Sequence, residues 1–421
     1  MGAMPSMEHA LKTLTDRIAA ARADGTPLCI RGGGSKDFLG RSHGEVLDTR
    51  ALSGVISYEP TELVVTVGCG TPLVELEALL AEQGQCLAFE PPHFSWSQAA
   101  AGAGQPSPAT VGGMLAAGLA GPARAIVGGV RDYVLGIKLI NGLGQQLSFG
   151  GQVMKNVAGY DVSRLMVGAR GTLGLLTEVS LKVLPRAPAE ATLCFALDQA
   201  EALEQLHRWG GQPLPLNASC WVNDAPNPGN AWPPEGVRPP LGRSGERPDA
   251  PNPGSSHTRL FVRLRGAVAA VEAACHKMLA EVPGERLDNG QVSADWDLCR
   301  DQQLPFFTNR PSADAVLWRL SLPQTAPVLQ LPTVTLVEWH GGLRWLWAPA
   351  SAASELQALA GAAGGSASAF VAGQPTPAAL ANTLAPADAA LVAISQRLKA
   401  SFDPQGIFNP GLTPDANPSR A

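Results

Sequence analysis

The sequence predicts an α+β protein of two domains, and three observations carry that prediction. Alternating, β-branched segments recur between segments of helical periodicity along the chain of 421 residues. Residues 155–184 place four glycines between a polar start and an alternating strand, which indicates a backbone lying close to a flat or charged group. After Pro185 the predicted elements follow the order β-α-β-β-α-β of a ferredoxin-like unit.

Composition narrows the class of protein. Apolar residues make up 45% of the chain, which is typical of a globular protein. The net charge is −5 and no run of Lys and Arg occurs, so nucleic acid is an improbable partner. Seven scattered cysteines without C-x-x-C pairs fit reduced thiols and supply no zinc or iron–sulfur ligand set. We therefore expect a soluble cytoplasmic protein without a metal site, any association with the inner membrane coming through partner subunits.

The first elements lead into a glycine-rich loop. A helix is predicted at residues 7–23, and Leu28 to Arg31 form a short strand that runs directly into Gly32 to Lys36. Such a loop suits a phosphate, because several backbone N–H groups can converge on one anion. Its spacing matches neither the Rossmann nor the P-loop fingerprint, and an ordinary turn is an equal alternative.

The next segments complete the first domain. Thr71 is predicted to cap a helix whose first residue is Pro72 and which ends at Gly84. The small residues of 110–120 predict a helix that a flat ligand can approach closely. Alternating patterns predict strands at 46–48, 54–58, 62–67, 131–140, 146–149 and 177–184.

The second half alternates strands and helices around an insertion. Residues 224–256 hold nine prolines and almost no large apolar residue besides Trp232, which predicts a mobile surface insertion. The predicted strands are 191–197, 218–222, 258–264, 315–322, a hairpin within 333–347, and 367–371. The predicted helices are 199–209, 268–281, 353–359 and one that starts at Pro386 and runs to about Phe402.

An ordered series of motifs identifies a family resemblance. The motifs are RGGGSK (31–36), EPP (90–92), ATVGGMLAAGLAG (109–121), VRDYVLG (130–136), KNVAGYD (155–161), GARGTLGLLTEVSLKVLP (168–185) and FDPQGIFNPG (402–411). This series resembles the FAD-binding fold of the vanillyl-alcohol oxidase and para-cresol methylhydroxylase (PCMH) type, in its branch of D-lactate and glycolate dehydrogenases. The resemblance is dense over residues 28–185 and returns at the C-terminal tail.

The resemblance implies a domain plan. It comprises a PCMH-type FAD-binding domain of two subdomains at 1–187 and a smaller, degenerate ferredoxin-like cap at 188–350. A C-terminal helical segment and tail at 351–421 would return to the flavin domain.

The resemblance also implies cofactor-binding residues. Arg31 to Lys36 would form the pyrophosphate loop, and no histidine lies in that loop, so we expect the FAD to be non-covalent. The full implied set is Arg31, Gly32, Gly33, Gly34, Ser35, Lys36, Pro91, Pro92, Gly112, Gly113, Asp132, Lys155, Asn156, Gly159, Tyr160, Asp161, Gly171, Gly174 and Val179.

Catalytic residues are harder to assign. Dehydrogenation of a 2-hydroxy acid needs a cation for the carboxylate and a base for the hydroxyl proton. The H-x-G-D-G-N…H segment that resembling catalytic subunits carry is absent from the sequence. Arg300 in W-x-x-x-R is similar to the family's carboxylate-binding arginine, although an ordinary surface arginine is an equal alternative. Arg319 and His340 are weaker candidates.

These features favour an FAD-binding subunit of a glycolate-oxidising complex. The implied partners are a catalytic flavin subunit and an iron–sulfur subunit. The alternatives are a self-sufficient D-2-hydroxy acid dehydrogenase, which the missing histidine pair argues against, and a subunit with a vestigial FAD site, which the retained glycines argue against.

Overall fold

The computed structural model of the protein describes residues 7–39, 43–94, 108–151, 161–223, 258–370 and 389–412. In these ranges the helices α1–α11 are Met7–Asp24, Leu73–Glu82, Val111–Ala117, Arg124–Val127, Val162–Leu165, Gln199–Gly210, Val268–Glu281, Asn289–Arg300, Pro305–Thr308, Ala353–Ala362 and Ala389–Phe402. The strands β1–β17 are Leu28–Arg31, Glu45–Asp48, Val55–Glu59, Val64–Gly68, Gln85–Cys86, Val134–Ile140, Gln146–Gly150, Leu175–Lys182, Leu184–Pro185, Ala189–Phe195, Leu216–Asn223, Thr258–Gly266, Gly284–Arg286, Ala315–Ser321, Thr335–Glu338, Leu343–Pro349 and Ser366–Ala369. No helix in these ranges combines the length and hydrophobicity that a membrane span requires.

The first domain is built around a five-stranded antiparallel sheet. Its strand order is β3-β4-β8-β6-β7, so β8 lies in the middle. Val179 and Leu181 of β8 pack in one core with α2 and α3, while Leu175 packs with α1. Because both faces are covered, most of β8 is buried, although its alternating sequence predicted a half-buried strand.

A smaller subdomain joins the two ends of the described chain. Strands β1 and β2 pair in parallel, and Phe408 bridges Leu28 on the other side of β1. The Leu28 N–H donates to the Ile407 carbonyl at 2.7 Å, and the Asn409 N–H donates to the Leu28 carbonyl at 2.9 Å. Residues 402–411 therefore return to the first domain, as the family resemblance implied.

The cap is an eight-stranded sheet of order β13-β10-β12-β11-β15-β16-β14-β17. Its first four strands, with α6 and α7, have the ferredoxin-like arrangement β-α-β-β-α-β. The sequence prediction assigned residues 315–322 as the fourth strand of that unit, which is wrong. The short strand Gly284–Arg286 fills this place beside β10, and its exposed, polar residues give it no hydrophobic alternation.

The cap sheet also runs past the predicted boundary at residue 350. Helix α10 precedes β17, and β17 pairs with β14 through Ala367 opposite Leu320. The predicted helix cap at Thr71 differs as well. Pro72 stands at the N-cap position, and the Thr71 hydroxyl instead donates to the Gly68 carbonyl at 2.7 Å.

One carboxylate joins the two domains. Glu90 Oε1 accepts hydrogen bonds at 2.6 Å from Arg263 and from Arg265 of the cap strand β12. Its Oε2 accepts from the Ala123 N–H at 3.1 Å. Burial alone would raise the pKa of Glu90, but the two guanidinium charges outweigh that effect and hold the pKa below its ordinary value.

Replacing Glu90 by Gln should therefore destabilise the protein by about 3–5 kcal/mol, because the buried Arg263 loses its counter-charge and the half-buried Arg265 keeps only Glu190. The stability that Glu90 supplies is present above its ordinary pKa of about 4.3 and is lost as pH falls through the lower folded pKa. Denaturant unfolding between pH 7 and pH 3 should show the two proteins converging at the acid end. Glu204→Gln, which removes the exposed partner of Arg208, is the control and should cost about 0.5 kcal/mol.

The proline-rich insertion at 224–256 lies outside the described residues. The strands on either side of it meet, since Asn223 of β11 pairs directly with Thr258 of β12. Deleting residues 226–253 and closing the gap with a short Gly/Ser turn should preserve both strands, because a shorter loop costs less entropy to close. We expect the melting temperature and flavin content to change little. A large fall in melting temperature would show that the insertion contributes to the core.

Candidate functional site

The glycine-rich loop leaves β1 and turns sharply. Arg31 pairs with Asp37 through Nε at 3.0 Å and Nη2 at 2.8 Å, which ties the start of the loop to its end. Gly34 has φ +79°, a conformation that side chains disfavour. The Asp37 N–H donates to the Gly34 carbonyl at 3.2 Å. The loop is thus held in one shape by its own contacts.

Two glycines let the loop lie against the start of α3. A Cβ on Gly33 would stand 1.5 Å from the Pro108 carbonyl oxygen, and one on Gly32 would stand 2.4 Å from Thr110 Oγ1. Thr110 caps α3 by accepting a hydrogen bond from the Gly113 N–H at 3.2 Å. Gly32 and Gly33 are therefore required by packing, independently of any ligand.

This packing forms a cavity of about 350 Å³ with unpaired donors on its wall. In the described part of the chain, the backbone N–H groups of Gly32, Gly34 and Lys36 have no hydrogen-bond partner. Asn409 closes the cavity from the C-terminal tail. Its amide donates to the Arg170 carbonyl at 2.7 Å, and its Oδ1 accepts from the Ile30 N–H at 2.7 Å.

Two cations line the same cavity. Lys36 is half-buried in the wall of the cavity, and partial removal from water lowers its pKa to about 8, with Asp301 acting in the opposite direction. Burial also lowers the pKa of Arg170, whose guanidinium donates to the Leu39 carbonyl. Neither cation forms an ion pair with a carboxylate of the described residues. Convergent free N–H groups and two cations that form no ion pair are suited to a diphosphate, so the residues present fit the pyrophosphate of FAD.

The structure brings together part of the cofactor set that the sequence implied. The cavity is lined by Arg31, Gly32, Gly33, Gly34, Ser35, Lys36 and Gly113. A Cβ on Gly171 would meet Asn409 Nδ2 at 2.6 Å, so this glycine lets the tail close the cavity. Gly112 packs instead against Cys69. Pro91 and Pro92 are buried, and Pro92 lines a small space at the boundary between the domains.

The remaining implied residues lie away from the cavity or outside the described residues. Val179 is in the core of the sheet, and Gly174 lies against the Ile140 carbonyl. Asp132 is exposed and accepts from the Gly129 N–H, while Asp161 caps α5. Outside the described residues lie Lys155, Asn156, Gly159 and Tyr160. Sequence reasoning did not single out Arg170 and Asn409, although both lie in motifs that carried the family resemblance, Arg170 in GARG (168–171) and Asn409 in FNPG (408–411).

The candidate substrate arginine, Arg300, is already neutralised. It ends α8 at the domain boundary, with Nη1 3.0 Å from Asp297 and Nη2 2.9 Å from Asp301. Two carboxylates on one guanidinium leave little charge for a substrate anion. His340 is a weak base here: burial, helped by nearby His207, lowers its pKa to about 4. Both assignments remain predictions, and in the described ranges no three His, Cys, Asp or Glu residues group as metal ligands do.

The third candidate, Arg319, belongs to a group of buried charges that the sequence did not reveal. The guanidinium carbons of Arg124 and Arg319 lie 5.0 Å and 5.3 Å from the centre of the Trp339 ring. Glu338 lies nearby and accepts hydrogen bonds from Trp345 Nε1 at 2.7 Å and Cys299 Sγ at 3.3 Å. Burial raises the pKa of Glu338 to about 7.

Comparisons with known proteins agree with this description. A family model for an FAD binding domain matches residues 10–150. The glycolate oxidase subunit GlcE of Escherichia coli (strain K12) is 41% identical over 95% of this chain and 96% of its own length. The glycolate oxidase subunit GlcD of Bacillus subtilis (strain 168) is 31% identical over 44% of this chain and 35% of its own length.

Solved structures support the fold alone. An alkyldihydroxyacetonephosphate synthase matches with a TM-score of 0.61 at 15% identity, over 96% of this chain and 75% of that chain. At so low an identity the match establishes the two-domain PCMH-type architecture and carries no argument about the reaction.

Replacing Lys36 by Met tests the cavity. FAD affinity should fall by about tenfold to a hundredfold, because a charge-assisted hydrogen bond to phosphate is lost. Wild-type affinity should also decline as pH rises above about 8, where the free lysine loses its proton, and the variant should lack that decline. Fluorescence titration of the flavin-free protein measures both. The exposed Lys12→Met is the control, and equal affinities of all three proteins would refute the assignment of Lys36.

Proposed function

Since the chain belongs to the family of the glycolate oxidase subunit GlcE, we propose that it works in a glycolate-oxidising complex and passes electrons to an iron–sulfur partner subunit. The chain is a subunit of an FAD-dependent oxidoreductase, with FAD as its cofactor. A further flavin subunit similar to GlcD is the proposed catalytic partner. The resulting reaction converts glycolate to glyoxylate.

The observation that carries this proposal is the cavity at the glycine-rich loop. Its N–H groups at Gly32, Gly34 and Lys36 and the charges of Lys36 and Arg170 are suited to hold the pyrophosphate. FAD supplies an acceptor for two electrons and can release them one at a time. Because no histidine stands between Gly32 and Lys36, we propose that the cofactor is held without a covalent bond.

The protein also restricts water at the boundary between its domains. Pro92, Phe94, Trp339 and Trp345 surround a space of about 10 Å³, which is close to the smallest volume that holds a single water molecule. The Trp339 Nε1–H donates to the Gly121 carbonyl at 3.0 Å and holds the cap against the flavin domain. A boundary with so little room for water would limit side reactions of a reduced flavin.

The division of labour in the complex follows from the candidate bases. A general base for the hydroxyl proton works best with a pKa near the operating pH. His340 falls well below that range, and Glu338 is engaged by Trp345 and Cys299. We therefore assign proton abstraction to the partner flavin subunit and electron passage to this chain.

Purification of the chain with and without its partners tests the proposal. Alone, it should be yellow, release its flavin on acid precipitation and reduce a dye with glycolate at under about 1% of the rate of the complex. Adding back the two partner subunits should restore the rate, and a flavin-free preparation should not support it. A lone chain that oxidises glycolate or D-lactate as fast as the complex would establish the self-sufficient dehydrogenase instead.

A further inference from the structure

Arg124 and Arg319 face one cavity from different domains. The cavity measures about 470 Å³, and its wall also includes Ser321 and Gln324. Arg124 begins α4 of the flavin domain, whereas Arg319 lies in the middle of the cap strand β14. Bringing the two domains together therefore places two positive charges at one site.

Within the described residues neither arginine forms an ion pair, although the carboxylate of Asp132 acts on Arg124 and that of Glu338 acts on Arg319. Burial lowers the pKa of Arg319 to about 10, and the charge of Arg124 adds to that effect, so both stay protonated at neutral pH. Glu338, with its pKa raised to about 7, is only partly ionised there. The site thus keeps a net positive charge.

The backbone is strained at Trp339, whose ring lies beside both arginines. Trp339 and His340 have φ values of +53° and +54°, a region that residues other than glycine rarely occupy. The ring is fixed by its hydrogen bond to the Gly121 carbonyl. A Cβ on Gly129 would stand 2.5 Å from Arg124 Nη1, so glycine at this position makes room for the guanidinium. Strain of this kind is characteristic of binding sites.

The cavity adjoins the flavin cavity. Ala117, at the end of α3, lines both, so the two are separated by about one residue of chain. Two guanidinium groups offer paired N–H donors that match a carboxylate, and the Ser321 hydroxyl and Gln324 amide offer further donors for a neighbouring oxygen. We propose that Arg124 and Arg319 form a binding site for a small 2-oxygenated carboxylate, a site distinct from Arg300. This inference rests on the proposed function for its choice of carboxylate over other anions.

The test uses the flavin-loaded chain and titrates it calorimetrically with oxamate, which carries a 2-oxo carboxylate and is not oxidised. Wild-type protein should bind one oxamate and gain melting temperature. Arg124→Met and Arg319→Met should each weaken binding at least tenfold, and the double variant should abolish it. Arg22→Met removes an exposed arginine of α1 and should bind as wild type.

Stability separates a binding role from a structural role. A buried cation without an ion-pair partner disfavours folding, so without oxamate Arg319→Met should melt at or above the wild-type temperature. Arg319→Lys retains the charge and should retain part of the binding, which keeps the test informative if the Met variant folds poorly. Variants that melt lower but bind oxamate within twofold of wild type would overturn the inference, since the arginines would then be structural.

The outcomes also distinguish this inference from the proposed function. Wild-type chain that holds FAD but binds no oxamate overturns the carboxylate site and leaves the flavin assignment intact. Inorganic phosphate that binds more tightly than oxamate, with the same dependence on both arginines, overturns the choice of carboxylate. A chain that takes up no FAD overturns the proposed function itself.

Discussion

Glu90 is the residue on which the arrangement of the two domains depends. Its carboxylate is buried where the flavin domain meets the cap, and three donors from both domains satisfy it. Arg263 is further fixed by Asn217 at 2.7 Å and stacks on Trp296 at 4.8 Å, so the cap side of this contact is rigid. The Ala123 N–H, which immediately precedes α4, ties the same carboxylate to the segment that carries Arg124. One group therefore sets both the docking of the cap and the position of an arginine at the second cavity.

Much of the fold could be predicted from the sequence, because most helices and strands have a clear local sequence pattern. Helix α7 begins and ends where its periodicity indicated, and β1 follows its short apolar run. The strand Gly284–Arg286 was not predicted, because its three residues are exposed and show no hydrophobic pattern. Its strand conformation depends on pairing with β10. The full extent of the cap sheet was not predicted, because β17 pairs with β14 and no local sequence pattern encodes such a long-range pairing.

The residues of the candidate sites also differ in whether the sequence could predict them. The glycine-rich loop is one continuous segment, so its residue types and spacing indicated a phosphate site directly. Arg170 and Asn409 complete that site from distant parts of the chain. Arg170 lies 131 residues from its contact Leu39, and Asn409 lies 379 residues from its contact Ile30. The sequence alone does not show that residues so far apart meet. Arg124 and Arg319 are even harder to predict, since nothing in the sequence around either arginine marks it and the two come together only in the folded protein. Charged groups at a domain boundary are therefore the functional residues that are hardest to predict from the sequence alone.

The contact between Asn409 and Ile30 has a consequence for the order of events during synthesis. The two residues are 379 positions apart, so the ribosome makes nearly the whole chain before the wall of the flavin cavity can close. A nascent chain therefore has the glycine-rich loop long before it has the residue that secures Arg170. A prematurely terminated chain therefore lacks the last part of the cavity.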